Sequence, residues 1–456
     1  MTVSDPSPWA LLTDLYELTM AQTYMKEGMN GRATFSLFVR RLPPDRGYMV
    51  VAGLEDVLRY LQRLRFSSED LEYLRSTKIF DDAFLSYLEG FRFTGEVWAA
   101  PEGGVLFANE PFLEVTAPIA EAQLVETYVI NQVHLQSMLA TKAARCAWAA
   151  RGRRLVDFGL RRTHGADAGM KAARSCYIAG FHATSNVLAG KAYGMPIAGT
   201  MAHSFVTSFP EEIDAFRAYA RTFPDSSTFL IDTYDTVEGA QKAAVVAKEM
   251  EEAGHRLRAV RLDSGDLLAL SRQVRHVLDE AGLPYVTIFA SGGLDEYQVA
   301  DLLLAEAPID GFGVGTRMGV SADAPFMDIA YKLVEYAGRP VLKLSSDKVT
   351  LAHRKQVYRR SGPDGRFLED TLALRDEALN GAGEPLLVKA MEDGRMLGAP
   401  PSLEEVRRRF REEFARLPEQ HKALREAPAY PVHLSPGLAD LQSRLERELA
   451  TPGGRA

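Results

Sequence analysis

Cysteine is almost absent from this chain, since only Cys146 and Cys176 occur among its 456 residues. A disulfide framework is therefore not expected, and a reducing compartment is the default environment. No apolar stretch approaches the roughly 20 residues that a membrane-spanning helix needs. The amino terminus also lacks the basic and apolar segments of a secretory signal. These absences predict a soluble, cytoplasmic protein.

Several functional signatures are missing as well. The chain has no GxxxxGK[ST] loop, so any binding of ATP cannot be of the P-loop type. No second His or Cys lies at ligand spacing from His203, which disfavours metal binding by that histidine. The formal net charge of −8 argues against nonspecific binding of nucleic acid. It remains compatible with an anionic substrate held in a local basic pocket.

What the chain has instead is a series of short apolar segments between about residue 154 and residue 316, each ending in polar or glycine-rich residues. The segments are RRLVDFG, MPIAGTMAHS, STFLIDT, RAVRLDSGD, VTIFASGG and DGFGVGT. Helical patterns separate them, at 165–180, 210–223, 236–254, 265–282 and 294–306. This alternation is typical of βαβ units and a parallel sheet. The loops at the carboxyl ends of such strands carry the chemistry, so we predict an α/β barrel enzyme.

The flanking regions predict further structure, because a chain of this length usually forms two or three domains. The predicted division is a flexible tail at 1–8, a mixed α/β domain at 9–151, the barrel at 152–345 and a carboxyl-terminal region at 346–456. Flanking helices are predicted at 11–27, 53–64, 123–150, 403–416 and 438–449. Strands are predicted at 33–39, 95–99, 104–108 and 112–117, with β-rich segments at 334–345 and 384–397 and a turn at 361–366. We expect a barrel plus a second domain built from both ends of the chain.

Two glycine-rich loops follow consecutive late strands, SGG at 291–293 and GVGT at 313–316. Glycine lets backbone N–H groups approach an anion, and the start of a following helix adds the positive end of its dipole. Barrels commonly bind phosphate at the loops after their last two strands. Each motif alone could be an ordinary turn, but together they predict a phosphate site.

The segment RLDSGD is more specific, because Asp263 and Asp266 flank a Ser-Gly turn at a strand end. Such a pair can bind ribose hydroxyls or hold Mg²⁺, usually through water. Arg261 lies two residues before Asp263 and therefore on the same face of the strand. The alternative is that Asp263 or Ser264 merely caps the next helix.

Two other strand ends carry candidate residues. In DFGLRR, Phe158 could stack on a planar ring while Arg161 or Arg162 neutralises a carboxylate or a phosphate. In GTMAHSF, His203 follows Thr200 by three residues. A histidine near phosphate sites can be a base, a metal ligand or a phosphoryl acceptor. The simpler alternatives are a basic surface turn and a histidine that only forms hydrogen bonds.

Seven segments in this order resemble the nicotinate phosphoribosyltransferase family over about residues 10–345. They are LLTDLYELTMAQTY, DFGLRRTHGADAG, GFHATSNVLAG, GTMAHSF, IDTYDT, RLDSGDL and FGVGT. The resemblance implies transfer of a phosphoribosyl group from 5-phosphoribosyl 1-diphosphate to nicotinate, with accompanying ATP hydrolysis and Mg²⁺, in an enzyme classed as a ligase. It also implies an irregular TIM-like α/β barrel, an α/β sandwich domain and a homodimer with shared active sites.

The resemblance further implies roles for individual residues. His203 would be the histidine that ATP transiently phosphorylates. Asp263 and Asp266 would lie near the ribose and the Mg²⁺-diphosphate, with Ser264 and Gly265 between them at the same substrate. The residues implied to contact nicotinate are Phe158, Arg161, Thr200, Arg261 and Tyr16, the last from the neighbouring subunit. The cradle for the 5-phosphate is implied at Gly292, Gly293, Gly313, Gly315 and Thr316.

The main alternative is nicotinamide phosphoribosyltransferase, which is similar in several loops. That family carries an Asp where this chain has Ser185. An acid there would accept the amide NH₂ of nicotinamide and repel the carboxylate of nicotinate, so Ser185 together with Arg261 favours nicotinate. Quinolinate phosphoribosyltransferase fits less well, because that family is shorter and lacks the histidine loop. A phosphosugar isomerase, an aldolase or a degenerate binding protein is a further alternative. An aldolase would need a Schiff-base lysine, which no predicted strand end carries. A degenerate binder should have lost its catalytic residues, yet the chain retains His203, Arg261, Asp263 and Asp266.

Overall fold

The computed structural model describes residues 9–343, 350–379, 381 and 383–450. The chain divides into two compact units, one from Met1–Thr141 and Phe326–Ala456 and the other from Lys142–Pro325. Within the described ranges no helix is long and apolar enough to cross a membrane. The predicted tail at 1–8 and the predicted boundary at 345 and 346 lie outside the described residues, so the division made from the sequence stays a prediction.

The unit Lys142–Pro325 contains a six-stranded sheet in which every neighbouring pair is parallel. Across the sheet, the strands are Ala183–Thr184, Arg154–Asp157, Gly311–Val314, Thr287–Ala290, Ala259–Leu262 and Thr228–Leu230. The α-helices that follow them are Ala166–Ile178, Val187–Tyr193, His203–Thr207, Glu212–Thr222, Thr236–Glu252, Leu267–Glu280, Glu296–Leu304 and Thr316–Gly319. Leu160–Arg162 forms a 3-10 helix. The predicted irregular α/β barrel is confirmed, and its strand ends meet at one edge.

One of the six predicted strands is wrong. The segment MPIAGTMAHS forms only a single bridge, between Ile197 and Thr184, while the short strand Ala183–Thr184 was not predicted. Pro196 has no N–H and accepts from the Thr184 N–H with its carbonyl at 3.1 Å, so pairing cannot extend through it. The irregular stretch that results leads directly into the helix His203–Thr207.

A buried ion cluster fixes the helix that follows the SGG loop. Glu296 is fully buried and accepts from Arg145 Nε at 2.8 Å and from Lys142 Nζ at 2.5 Å. Lys142 also pairs with Asp323 at 2.6 Å. Because a buried carboxylate that loses its cations is strongly destabilising, the position of helix Glu296–Leu304 is tightly determined. The loop before that helix is held with it.

The unit formed by the two ends of the chain is built on an antiparallel sheet of seven strands. In order they are Arg339–Pro340, Ile329–Tyr336, Arg32–Val39, Pro111–Pro118, Glu96–Ala99, Val388–Glu392 and Arg395–Met396. A second sheet contains Glu384–Pro385, Lys355–Ser361, Phe367–Leu374 and Val432–Leu434, and a third pairs Met49–Val50 with Val105–Leu106. The helices of this unit are Leu15–Lys26, Leu54–Arg63, Ser68–Ser76, Asp82–Glu89, Ile119–Leu124, Leu403–Arg416 and Pro436–Ala450, with a 3-10 helix at Glu419–Lys422. Helix Glu126–Ala149 begins here and continues into the barrel unit.

Pairing between the two chain ends confirms the predicted second domain. Strand Arg32–Val39 lies between Pro111–Pro118 and Ile329–Tyr336, and the rings of Phe35 and Tyr331 stack at 4.8 Å. The predicted helix at 123–150 is interrupted at Val125.

Candidate active site

The predicted site residues of the barrel unit lie in the loops at the carboxyl ends of its strands. Arg261 is nine-tenths buried and is the centre of the hydrogen-bond network there. Its Nε donates to Ser291 Oγ at 2.9 Å and its Nη2 to Asp263 Oδ1 at 2.9 Å. Its Nη1 donates to Thr200 Oγ1 at 2.6 Å and to the Met201 carbonyl at 3.2 Å. One guanidinium therefore joins three separate loops.

Asp263 is held as a carboxylate. Burial raises the pKa of its carboxyl, but hydrogen bonds from Ser291 and Arg261 outweigh burial, and the pKa lies below its ordinary value. Ser291 Oγ donates to Asp263 Oδ1 at 2.5 Å. The second carboxylate oxygen, Oδ2, lies 3.8 Å from His203 Nε2. Two residues that were predicted separately, Asp263 and His203, are thus brought together.

His203 begins its short helix with a side chain that is 43% exposed. Its Nδ1 lies 3.1 Å from Thr233 Oγ1, so the ring is held from one side by a hydroxyl and faces a carboxylate on the other. Thr233 was not predicted. It follows strand Thr228–Leu230 by three residues, and only the fold shows that this strand end lies across from the histidine loop.

Asp232 is a second residue that the sequence reasoning missed. Its Oδ2 accepts from the backbone N–H of Asp263 at 2.9 Å and from Ser264 Oγ at 2.6 Å. Its Oδ1 is buried and has no hydrogen-bond partner among the described residues. The motif IDTYDT contains it, and a polar residue directly after an apolar strand is the signal that could have identified it.

Asp266 takes the capping role that the sequence suggested for Asp263 or Ser264. Its Oδ1 accepts from the N–H groups of Leu268 and Ala269, both at 3.1 Å, and it caps helix Leu267–Glu280. The alternative interpretation, in which Asp263 or Ser264 caps this helix, is therefore excluded. The physical reason is that the turn at Gly265, with φ of 80°, delays the start of the helix by two residues. A role of Asp266 at the substrate stays a prediction.

The glycines of the predicted phosphate cradle have a packing function. A Cβ on Gly313 would lie 2.5 Å from the ring of Phe158, and one on Gly315 would lie 2.7 Å from the Phe158 carbonyl oxygen. These glycines therefore let Phe158 reach its place, where the Arg261 guanidinium lies 5.5 Å from the ring centroid. This observation leaves an anion contact by the same backbone as a prediction.

The remaining predicted residues surround this centre. Arg161 is exposed on the 3-10 helix Leu160–Arg162, and Arg162 Nη1 donates to Thr316 Oγ1 at 3.1 Å. Ser185 is half-buried, and its N–H donates to the Asp157 carbonyl at 2.9 Å. The exposed arginine offers a positive charge for an anionic substrate.

A cavity of about 500 Å³ opens between two of these loops. Its lining includes the predicted residues Gly265, Asp266, Gly292 and Gly293, together with Leu267, Leu268, Leu294, Gln298, Asp301, Leu302 and Arg317. The volume is within the range of ordinary small-molecule sites.

Tyr16 belongs to the other unit and is 45% exposed on helix Leu15–Lys26. Burial of its hydroxyl, and then the charges of Glu126 and Glu17, raise the pKa of Tyr16. The hydroxyl is hydrogen-bonded to Glu126 and remains the neutral donor. Its contact with nicotinate stays a prediction.

Gly292 and Gly293 allow a matched test of the packing. Gly292 has φ of 98°, and a Cβ there would lie 1.9 Å from the Asp263 carbonyl oxygen, whereas one on Gly293, with φ of 71°, would meet nothing within 4 Å. We expect Gly292→Ala to lower the free energy of unfolding by about 3 kcal/mol or more, because overlap adds to backbone strain. Gly293→Ala should lower the free energy of unfolding by only about 1–2 kcal/mol, because it introduces backbone strain without the overlap. Urea unfolding measures both, and equal losses would contradict the assigned contact.

Comparison with known proteins places this site in a family. Family models of nicotinate phosphoribosyltransferase match in three parts, as its N-terminal domain at residues 11–134, the family model itself at 153–361 and its C-terminal domain at 380–442. A nicotinate phosphoribosyltransferase of Mycobacterium tuberculosis is 52% identical over 440 residues, which cover 96% of this chain and 94% of that protein. One from Bacillus subtilis is 38% identical over 96% of this chain and 97% of its own length.

Solved structures agree. Human nicotinic acid phosphoribosyltransferase superimposes with a TM-score of 0.86 at 32% identity, covering 95% of this chain and 99% of the human one. A Pyrococcus furiosus structure described as nicotinate-nucleotide pyrophosphorylase gives 0.75 at 26% identity, covering 91% and 97%. With three matching family models and relatives over nearly its whole length, this chain belongs to the nicotinate phosphoribosyltransferase family.

Proposed function

We propose that this protein transfers the phosphoribosyl group of 5-phosphoribosyl 1-diphosphate to nicotinate, giving nicotinate mononucleotide and diphosphate. The observation that carries the proposal is the Arg261 network, which brings Thr200, Asp263 and Ser291 together at the strand ends. In a chain of this family, that network supplies a charged wall beside an aromatic ring. Such a wall suits a planar anionic base.

Recognition of nicotinate would use the ring of Phe158 and the charges around it. Four of the five N–H groups of an arginine are engaged at Arg261, and one on Nη2 has no partner among the described residues. Arg161 is exposed and carries a full charge for the carboxylate of nicotinate. Ser185, a neutral residue, would not repel that carboxylate as an acid would.

The transfer itself needs no protein nucleophile. The pyridine nitrogen forms a bond to C1 of the ribose while the bond from C1 to the diphosphate oxygen breaks, and diphosphate leaves with that electron pair. The protein would accelerate this step by holding the two substrates in line and by compensating charge as it develops. Asp263, fixed as a carboxylate by Arg261 and Ser291, can stabilise the positive charge that grows on the ribose.

The acids of this site fit Mg²⁺, a hard cation that prefers carboxylate and water oxygens. No group of three or more His, Cys, Asp or Glu side chains within the described ranges could hold a metal ion, so substrate oxygens would supply most of the ligands. Asp263 and Asp266 are the residues that would hold it together with those oxygens. When bound, Mg²⁺ would neutralise charge on the leaving diphosphate.

ATP coupling would act through His203. A ring nitrogen would attack the γ-phosphorus of ATP, forming a P–N bond as ADP leaves, and water would later release inorganic phosphate. The phosphoryl group adds about −1.5 to −2 charges, by analogy with other phosphorylated side chains. Asp263 lies 3.8 Å from His203 Nε2, so the new charge would alter the affinity for the sugar diphosphate and its metal. Binding and release would thereby be coupled to ATP hydrolysis.

A product assay tests this proposal. We expect nicotinate mononucleotide from nicotinate, 5-phosphoribosyl 1-diphosphate and Mg²⁺, because the basic wall selects a carboxylate. ATP should stimulate the reaction. His203→Ala should lose the ATP stimulation and keep ATP-independent transfer. His276→Ala is the matched control, since His276 is an exposed histidine on helix Leu267–Glu280 whose ring pairs with Glu280.

Three results would each count against a part of the proposal. Product from nicotinamide at a comparable rate would mean that Ser185 does not select the base, and the alternative family activity would replace the one proposed. No product with either base would remove the transferase assignment. Unchanged ATP stimulation in His203→Ala would leave the transfer standing and exclude this histidine as the acceptor.

We also propose a homodimer in which the two chains share active sites. Leu15 and Tyr16 are 54% and 45% exposed on one helix, and in the barrel unit Val187, Leu188 and Ile197 are 66%, 54% and 57% exposed. Large apolar side chains exposed in groups are typical of interaction surfaces. In a dimer with two-fold symmetry, the first patch of each chain would contact the second patch of its partner, so this contact would form twice.

Complementation between variants tests shared sites. Tyr16→Ala and Asp263→Ala, co-expressed with different tags and purified as the mixed dimer, should recover about half of wild-type activity, because one of the two sites carries neither change. Each homodimer alone should be nearly inactive. A mixed dimer as inactive as its parents would show that each site is built from one chain.

A further inference from the structure

We infer that Arg317 binds the 5-phosphate of the phosphoribosyl donor, an inference that rests on the proposed function. Arg317 follows the GVGT loop directly. Its Nη1 donates to Asp295 Oδ2 at 3.1 Å, and Asp295 lies just after the SGG loop. A single arginine therefore connects the two glycine loops at which barrels commonly bind phosphate.

A cavity lined by the SGG loop, by the turn at residues 265–268 and by helix Glu296–Leu304 gives Arg317 its target. Arg317 lines it together with Gly292 and Gly293, and it is the only Lys or Arg among the described residues that do so. Its side chain is 45% exposed, and apart from the contact with Asp295 it has no hydrogen bond to a described residue. Several N–H groups of its planar fork are free for phosphate oxygens.

Asp295 positions the guanidinium and does not simply neutralise it. Asp295 Oδ1 accepts from the N–H groups of Tyr297 and Gln298, at 3.0 and 3.2 Å, and so caps helix Glu296–Leu304. The helix is in turn fixed by the buried Glu296. Arg317 is thus attached to a rigid element, which reduces the entropy that binding would cost.

The acids of the cavity make the charge of Arg317 decisive. Asp266 and Asp301 line the same space, and two carboxylates repel a phosphate dianion. Without Arg317 the lining would carry negative charge only. The cavity is therefore selective, because an anion is favoured beside Arg317 and disfavoured toward the acids.

Binding measurements test this inference without relying on turnover. By calorimetry, Arg317→Ala should weaken ribose 5-phosphate and 5-phosphoribosyl 1-diphosphate about tenfold or more, the effect expected for a charge-assisted hydrogen bond. Binding of inorganic diphosphate with Mg²⁺ should change less than about twofold, because that group lies toward the acids. Asp301→Asn should tighten ribose 5-phosphate, since it removes a repelling charge.

Two further variants serve as controls. Arg272→Ala removes an exposed arginine that donates to the Ala305 carbonyl at 2.7 Å and does not line the cavity, so binding should not change. Arg317→Gln keeps the aliphatic stem and a polar end group without the charge, and it replaces Arg317→Ala should that variant fail to fold. Its loss of ribose 5-phosphate binding should be similar, because the charge is removed in both.

The outcomes separate the inference from the proposed function. Wild-type binding of both sugar phosphates by Arg317→Ala and Arg317→Gln would overturn the inference and leave Arg317 as a structural link to Asp295. Equal losses for ribose 5-phosphate and inorganic diphosphate would also overturn the assignment to the 5-phosphate. A wild-type protein that binds no 5-phosphoribosyl 1-diphosphate would overturn both the inference and the function on which it rests.

Discussion

The buried guanidinium of Arg261 is the constraint on which the rest of the site depends. A charge that is nine-tenths buried must be paired and hydrogen-bonded, because leaving it uncompensated would cost several kcal/mol. The partners that satisfy it come from three loops: Thr200, Asp263 and Ser291. Satisfying one buried charge therefore holds these three loops together at the strand ends.

This arrangement explains why so much of the site is neither substrate contact nor catalyst. Asp232 holds the Asp263 N–H and the Ser264 hydroxyl, and Thr233 holds the ring of His203. Neighbouring residues on one strand end thus fix the two groups whose charges would interact during ATP coupling. Gly292 is needed for packing, since a Cβ on it would overlap the Asp263 carbonyl.

The sequence predicted the barrel well because its strands are continuous apolar runs that end in polar residues, as in RAVRLDSGD. It failed where charge is buried in pairs. Strands Lys355–Ser361 and Phe367–Leu374 were missed, because Arg359 and Asp370 look like surface residues but form a buried pair at 2.6 Å. Alternation of polar and apolar residues cannot reveal that a charged side chain points inward.

The residues of the site also fall into two groups, those that the sequence could identify and those that it could not. Residues that follow a strand directly, such as Asp263, could be identified from spacing alone. Asp232 carried the same signal, but Thr233 and Arg317 could not be identified in this way, because their contacts are made with residues of other loops. Asp266 was assigned to substrate by type and position, but the structure gives it a helix to cap as well.

The central claim is that the fork of Arg261, and not its charge alone, organises the site. Arg261→Lys keeps the charge and loses the geometry that reaches Ser291, Asp263 and Thr200 at once, so kcat/KM for nicotinate should fall about a hundredfold or more while the protein stays folded. Arg275→Lys is the control, since Arg275, on helix Leu267–Glu280, also donates to three residues, Asp279, Leu283 and Val286. It should change stability and leave kcat/KM close to wild type. If Arg261→Lys kept wild-type kcat/KM, the account would be wrong.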